Sequence, residues 1–157
     1  MHLLSPFRGL GKLTKFKVNR TLHGRSVYRK TDVRGHNVFK GYSNPGVGDA
    51  IDLFCPAGTE VYAMHSGRII VRGKGTSSEN VFLTGVQSSI EVVTVYAHIK
   101  TKDSLKSGST VTAGQVIGWV NRLLKNPHLH LEIWIDDKVL TEETPSKLRT
   151  RISNLVE

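Results

Sequence analysis

The sequence is poor in cysteine, in long apolar runs and, over its first quarter, in acidic residues. One cysteine among 157 residues, Cys55, excludes an intrachain disulfide framework and a zinc site built from cysteines. No apolar run approaches the roughly 20 residues that span a bilayer. Between Met1 and Val18, Arg8, Lys12, Lys15 and Lys17 interrupt any stretch of signal-peptide length, so no signal peptide is expected in this chain. With 38% hydrophobic and 22% charged residues, the composition is that of a globular protein, neither disordered nor coiled coil. The length suits one compact domain with its own core.

The scarcity of acid is local. Residues 1–40 hold ten Lys and Arg against a single acid, Asp32, and so carry the whole net charge of +9. The remaining 117 residues hold twelve of each sign. A basic segment of this kind favours polyanions: nucleic acid, an anionic membrane or an anionic cell-wall polymer. The same charge on a solvated face would serve solubility alone. No helix-turn-helix, finger or aromatic RNA-binding motif accompanies it, so nucleic acid rests on charge only. Gly73-Lys74-Gly75 lacks the spacing of a phosphate loop and reads as a turn.

From Ala50 onward, short segments rich in Val, Ile, Tyr, Phe and Trp recur: 50–54, 60–64, 68–72, 80–86, 90–99, 115–120 and 129–136. Turn residues separate them, among them Pro56-Ala57-Gly58 and Ser66-Gly67. This pattern predicts an all-β, antiparallel sandwich or barrel-like domain. Weaker strand signals fall at 15–18 and 26–29. One helix is expected at the C-terminus, with Thr144 as cap, Pro145 in its first turn and Leu148, Ile152 and Leu155 on one face. The organisation expected is a basic segment, 1–45, leading into a β-domain, 46–157.

Three polar islands interrupt the strands. Asp52 stands between Ile51 and Leu53, so it faces away from both. His98 lies near the end of a long strand. His128 and His130 project side by side from one face, with Leu129 and Leu131 on the other. Each island alone fits a hydrogen-bonded structural residue. Together, imidazoles and a carboxylate are the ligand types of a zinc site that keeps a position open for water. The other histidines read plainly: His2 is terminal, His23 lies in a basic stretch and His65 at a turn. Trp119 and Trp134 are expected to pack the core or line a groove, and Cys55 to be a small buried residue.

Residues 46–136 resemble the lysostaphin-type (LytM-like) zinc endopeptidases that cut peptide bridges of bacterial peptidoglycan. The resemblance lies in Asp52-Leu53-Phe54-Cys55-Pro56-Ala57-Gly58-Thr59, Ser66-Gly67-Arg68-Ile69, Tyr96-Ala97-His98-Ile99, Ala113-Gly114-Gln115-Val116-Ile117-Gly118 and Pro127-His128-Leu129-His130-Leu131-Glu132. It implies a β-fold of the duplicated hybrid motif type, with Zn2+ as cofactor and Asp52 and His130 as ligands. His98 and His128 would be the pair that activates the metal-bound water and stabilises the oxyanion. The partner implied is peptidoglycan or another anionic wall polymer. The location implied is the cell envelope, the extracellular space or a phage virion.

One position departs from the family. Its first motif, His-x-x-x-Asp, puts a third ligand four residues before Asp52, and that residue is Gly48. Asp49 is at an odd offset from Asp52 and would point to the other face of a strand. His36 is the nearest upstream histidine and serves as third ligand if residues 37–47 loop back to the site. Two readings therefore stand: a zinc endopeptidase, or a peptidase-like module without hydrolysis, with a structural, regulatory or wall-binding role. A biotinyl or lipoyl carrier is disfavoured, since the only methionines, Met1 and Met64, do not flank Lys74.

Overall fold

The computed structural model describes residues 1–8, 17–19, 27–31, 37–41, 50–136, 138–140, 142 and 144–156. In chain order the elements are β1 (Lys17–Asn19), β2 (Val27–Thr31), β3 (Asn37–Gly41), β4 (Ala50–Phe54), β5 (Glu60–Tyr62), β6 (Gly67–Arg72) and β7 (Asn80–Gln87). Then follow β8 (Ile90–Ala97), β9 (Ile99–Thr101), β10 (Thr110–Val111), β11 (Val116–Val120), β12 (His128–Ile135), β13 (Lys138–Val139) and the helix α1 (Pro145–Leu155).

The large sheet has the order β1-β4-β12-β8-β7-β6-β10, with β13 paired to β12 beyond the end of β4. A smaller sheet, β5-β11-β9, and the β2–β3 hairpin complete the strands. All of these strand pairings are antiparallel. The antiparallel β-character and the C-terminal helix agree with the sequence expectation. Barrel closure is not shown: among the described residues no pairing joins β1 to β10.

Strand alternation sorts the large sheet into two faces. Ile51, Leu53, Ile69, Val81, Leu83, Val92, Tyr96, Leu129, Leu131 and Ile133 form the main core with residues of the smaller sheet and α1. The opposite face carries a second cluster of Ile70, Phe82, Val93, Val95 and Trp134, and β2 of the hairpin comes close to β6 and β7. Burial on both faces explains why β12 reads as a nearly continuous buried strand.

Helix α1 starts as the sequence predicts. The Thr144 hydroxyl accepts the Lys147 N–H at 3.2 Å, with Pro at the first helical positions. Leu148 and Ile152 are fully buried, and the Leu3 N–H donates to the Leu155 carbonyl at 2.8 Å, fastening the chain start to the helix end. No helix among the described residues is long and apolar enough to cross a membrane.

The expected strand over 90–99 is two strands. His98 has φ 62°, and this single left-handed residue turns the chain out of β8 and into β9 of the smaller sheet. A non-glycine residue held there is uncommon and costs on the order of 1 kcal/mol or more. The local break leaves the His98 ring at the edge of the large sheet, beside the histidines of β12.

Candidate functional site

Register assembles the site. On β12, His130 pairs with Asp52 of β4 on one side and with Ala97 of β8, the neighbour of His98, on the other. His128 pairs with Phe54, whose ring lies 5.5 Å from the imidazole between centroids. Asp52, His98, His128 and His130 are therefore brought together, with Asp52, His128 and His130 on the face of the sheet opposite the main core. The His98 ring centroid is 4.9 Å from that of His128 and 5.9 Å from that of His130. Asp52 Oδ1 lies 3.5 Å from His130 Nδ1 and 3.9 Å from His128 Nε2. His36 falls outside the described residues, as do Gly48 and Asp49.

Two of the imidazoles are oriented by main-chain carbonyls. His98 Nδ1 donates to the Ser77 carbonyl and His128 Nδ1 to the Asn126 carbonyl, each at 2.8 Å. A carbonyl only accepts, so in the neutral rings the proton sits on Nδ1 and Nε2 is left as the acceptor. Burial pushes the His98 pKa below the usual histidine range, and His128 and His130 nearby push it the same way.

His130 is treated differently. Its Nε2 is 2.9 Å from Glu132 Oε2, while Glu132 Oε1 accepts the Trp134 indole N–H at 3.0 Å. Burial works against a charged ring, but hydrogen bonds and charge from Asp52 and Glu132 outweigh it and lift His130 to about 9. Glu132 and Trp134 were not among the residues expected from sequence to serve the site. Their signal was present in the period of β12, where His128, His130, Glu132 and Trp134 occupy alternate positions and share a face.

The donor set can be tested against a zinc ion. Two ligands on bonds of about 2.1 Å in a tetrahedral site stand about 3.4 Å apart, and the Asp52–His130 pair is at 3.5 Å. Glu132 behind His130 is the outer carboxylate such a ligand usually has. So far the residues fit. A catalytic zinc ion, however, takes three protein ligands, and the family's third position is a glycine here. Among the described residues, no group of three or more His, Cys, Asp or Glu is disposed to hold a metal. The described donors make two-thirds of a catalytic zinc site.

An antiparallel β-domain with an Asp on one strand and His-x-His on the next defines a metallopeptidase-like protein. Residues 46–141 match peptidase family M23, and the chain belongs to that family. It is 31% identical over 103 residues to an uncharacterized metalloprotease of Buchnera aphidicola subsp. Baizongia pistaciae (strain Bp), covering 64% of this chain and 26% of that one. The antimicrobial peptidase lysostaphin from Staphylococcus simulans shares the fold at 20% identity and TM-score 0.50, over 98% of this chain and 56% of lysostaphin. A zinc-containing peptidase from Vibrio cholerae aligns at 25% identity and TM-score 0.46, over 77% and 37% of the two chains. The chain thus spans about a quarter of the curated relative it matches and roughly half or less of these two peptidases.

Proposed function

We propose that this chain is a non-hydrolytic M23 module that binds peptidoglycan at the cell envelope, outside the cell or in a phage virion. The observation that carries the reading is the make-up of the centre. Asp52 and His130 supply two donors, and the position that supplies the third in the family is Gly48, which has no side chain. Glu132 and Asp52 flank His130 on both ring nitrogens, so protein groups already complement the imidazole from each side. Family membership supports a wall polymer as the partner. The basic first 40 residues support an anionic one.

The test is sedimentation with insoluble peptidoglycan sacculi, with soluble peptide fragments measured in parallel, with and without added zinc. The expected result is salt-sensitive co-sedimentation without fragment release. Chelator-sensitive release by the unmodified chain would overturn the reading. It would favour the second one, a zinc endopeptidase cutting peptidoglycan cross-links, which the 3.5 Å Asp52–His130 spacing supports. In that second reading His36 is the third ligand and His98 and His128 flank the reacting groups, so one zinc ion per chain is bound and His36→Ala loses it.

A further inference from the structure

A cavity of about 690 Å3 lies on the far side of the loop that holds His98. Its walls come from four separate parts of the chain: the turn at Gly58, the loop 74–79 and the segments 100–103 and 119–123. We propose that this cavity binds a carboxylate-bearing saccharide, such as the acidic sugar of a wall polymer, and so deepens the wall-binding reading on which it rests.

Size, polarity and charge point the same way. The volume lies within the range of small-ligand sites, about 300–1,000 Å3. Half-buried Trp119 and Leu123, which is 64% exposed, supply apolar surface suited to the face of a pyranose ring. Lys74, Lys100 and Arg122 supply three positive charges, against which Asp103 is the exposed acid of the lining. Glu79 lines the cavity but offers little to a cation. Its Oε1 accepts the Gly75 N–H at 2.8 Å and its Oε2 the Thr101 N–H at 2.6 Å. Burial favours the neutral acid, yet those hydrogen bonds and the Lys74 charge outweigh it and hold the Glu79 carboxyl below its usual range. Its charge is thus spent on the protein, and with three cations against Asp103 the groups left for a ligand favour an anion.

Arg122 lies against the backbone of the Gly58 turn. Its guanidinium lies over Gly58, where φ is +85° and a Cβ would come within 2.6 Å of Nη2. Glycine at 58 therefore provides both the left-handed turn and the floor for a planar cation, and a placed guanidinium loses less freedom on binding a carboxylate.

The position of the cavity argues for a unit of the same polymer that the histidine cleft would meet. Asn121 lines the cavity while its N–H donates to the His98 carbonyl at 2.9 Å. Its side-chain amide donates to the Thr76 carbonyl at 3.0 Å, one residue from the Ser77 carbonyl that orients His98. The cavity and the cleft share this wall, so one extended ligand can reach both.

The test titrates the 15N-labelled chain with N-acetylmuramic acid and, separately, with N-acetylglucosamine, its counterpart without the carboxylate. The acidic sugar is expected to shift the Trp119 indole and the Gly58 and Asn121 amides saturably, at about tenfold lower concentration than the neutral one. Arg122→Glu and Lys100→Glu, both at exposed positions, should each remove that preference while leaving the remaining spectrum in place. Equal binding of the two sugars, shifts confined to the His98–His128 cleft, or no shift at all would overturn the cavity assignment. Sacculus sedimentation separates this failure from that of the wider reading. If the unmodified chain sediments but no sugar enters the cavity, the cavity assignment falls alone. If the acidic sugar binds the cavity and the chain does not sediment, the cavity assignment stands and wall binding falls.

Discussion

Lowering the pH from 7 to 4.5 offers a proton to His65, a ring that the fold holds neutral. His65 is 1% exposed, and both of its nitrogens are engaged. Nδ1 lies 2.9 Å from the Ser66 carbonyl, which can only accept, so Nδ1 carries the proton. Nε2 must then accept from the Thr94 hydroxyl, at 2.9 Å. With the Thr94 proton committed to the ring, Tyr96 is the donor between the two hydroxyls, which are 2.9 Å apart. The Tyr96 oxygen in turn accepts the Met64 N–H, also at 2.9 Å. A second proton on His65 reverses this chain and leaves the Tyr96 hydroxyl, in a fully buried side chain, without its acceptor.

Burial lowers the His65 pKa from 6.5 to about 4, and the hydrogen bond to Ser66 only partly opposes it. As pH falls through 6.5 the unfolded chain takes up the proton and the folded chain does not. Stability present above 6.5 is therefore lost progressively down to about 4 and levels off below it. At about 1.4 kcal/mol per pKa unit, the full loss is about 3 kcal/mol, most of it incurred by pH 4.5. That is a large share of the roughly 5–15 kcal/mol typical of a domain. Urea unfolding at half-unit pH steps checks it, with His65→Gln as the control, since the amide offers one donor and one acceptor but does not titrate. The midpoint of the parent should fall more steeply than that of the variant between pH 6.5 and 4. Parallel curves, or an NMR titration of His65 near its ordinary 6.5, would refute the reasoning.

Three further outcomes follow from the same structure. Glu132→Gln removes a carboxylate that joins His130 Nε2 to the Trp134 indole; it should cost about 2 kcal/mol in urea unfolding and shift the Trp134 indole resonance, and an unmoved resonance would deny that the pair is joined. Gly85→Ala sets a Cβ 2.2 Å from the Ser66 carbonyl oxygen and 2.8 Å from His65 Nδ1; a loss of about 3 kcal/mol is expected, and a change under 1 kcal/mol would mean that the two strands are farther apart. Gly48→His restores the family's third donor; calorimetry should show zinc binding at least about tenfold tighter, equivalent to about 1.4 kcal/mol, and unchanged affinity would show that Gly48 is not the position that matters.

What could be read in advance was what repeats locally. Alternation located β4, β7, β8 and β12 to within a residue or two, because a half-buried strand imposes a period of two on its own sequence. The cap at Thr144 and the face of Leu148 and Ile152 were legible for the same reason. The pairing of His128 with His130 followed from the period as well. Glu132 and Trp134 continue that row, but only distance shows that one carboxylate holds two side chains. His65 reads in the sequence as a plain turn residue; it packs against Gly85, a glycine inside β7, which is the kind of position where another backbone approaches closely.

The orientation of His98 escaped the sequence chiefly because it depends on a residue far away in the chain. The Ser77 carbonyl that orients His98 comes from a loop 21 residues away, and any residue type offers a carbonyl, so composition carries no trace of it. The left-handed φ at His98 has only a weak signature, because histidine is enriched in that region yet few histidines adopt it. Yet these two facts decide where the ring points. Asp52 and His130 are placed by strand register, with Glu132 of the same strand holding the His130 ring, whereas His98 depends on a backbone turn and a loop carbonyl. Perturbing loop 74–79 or Asn121 should therefore move His98 and leave Asp52 and His130 in place. The cavity borders that same loop, so the part of the cleft most open to influence by a bound ligand is His98.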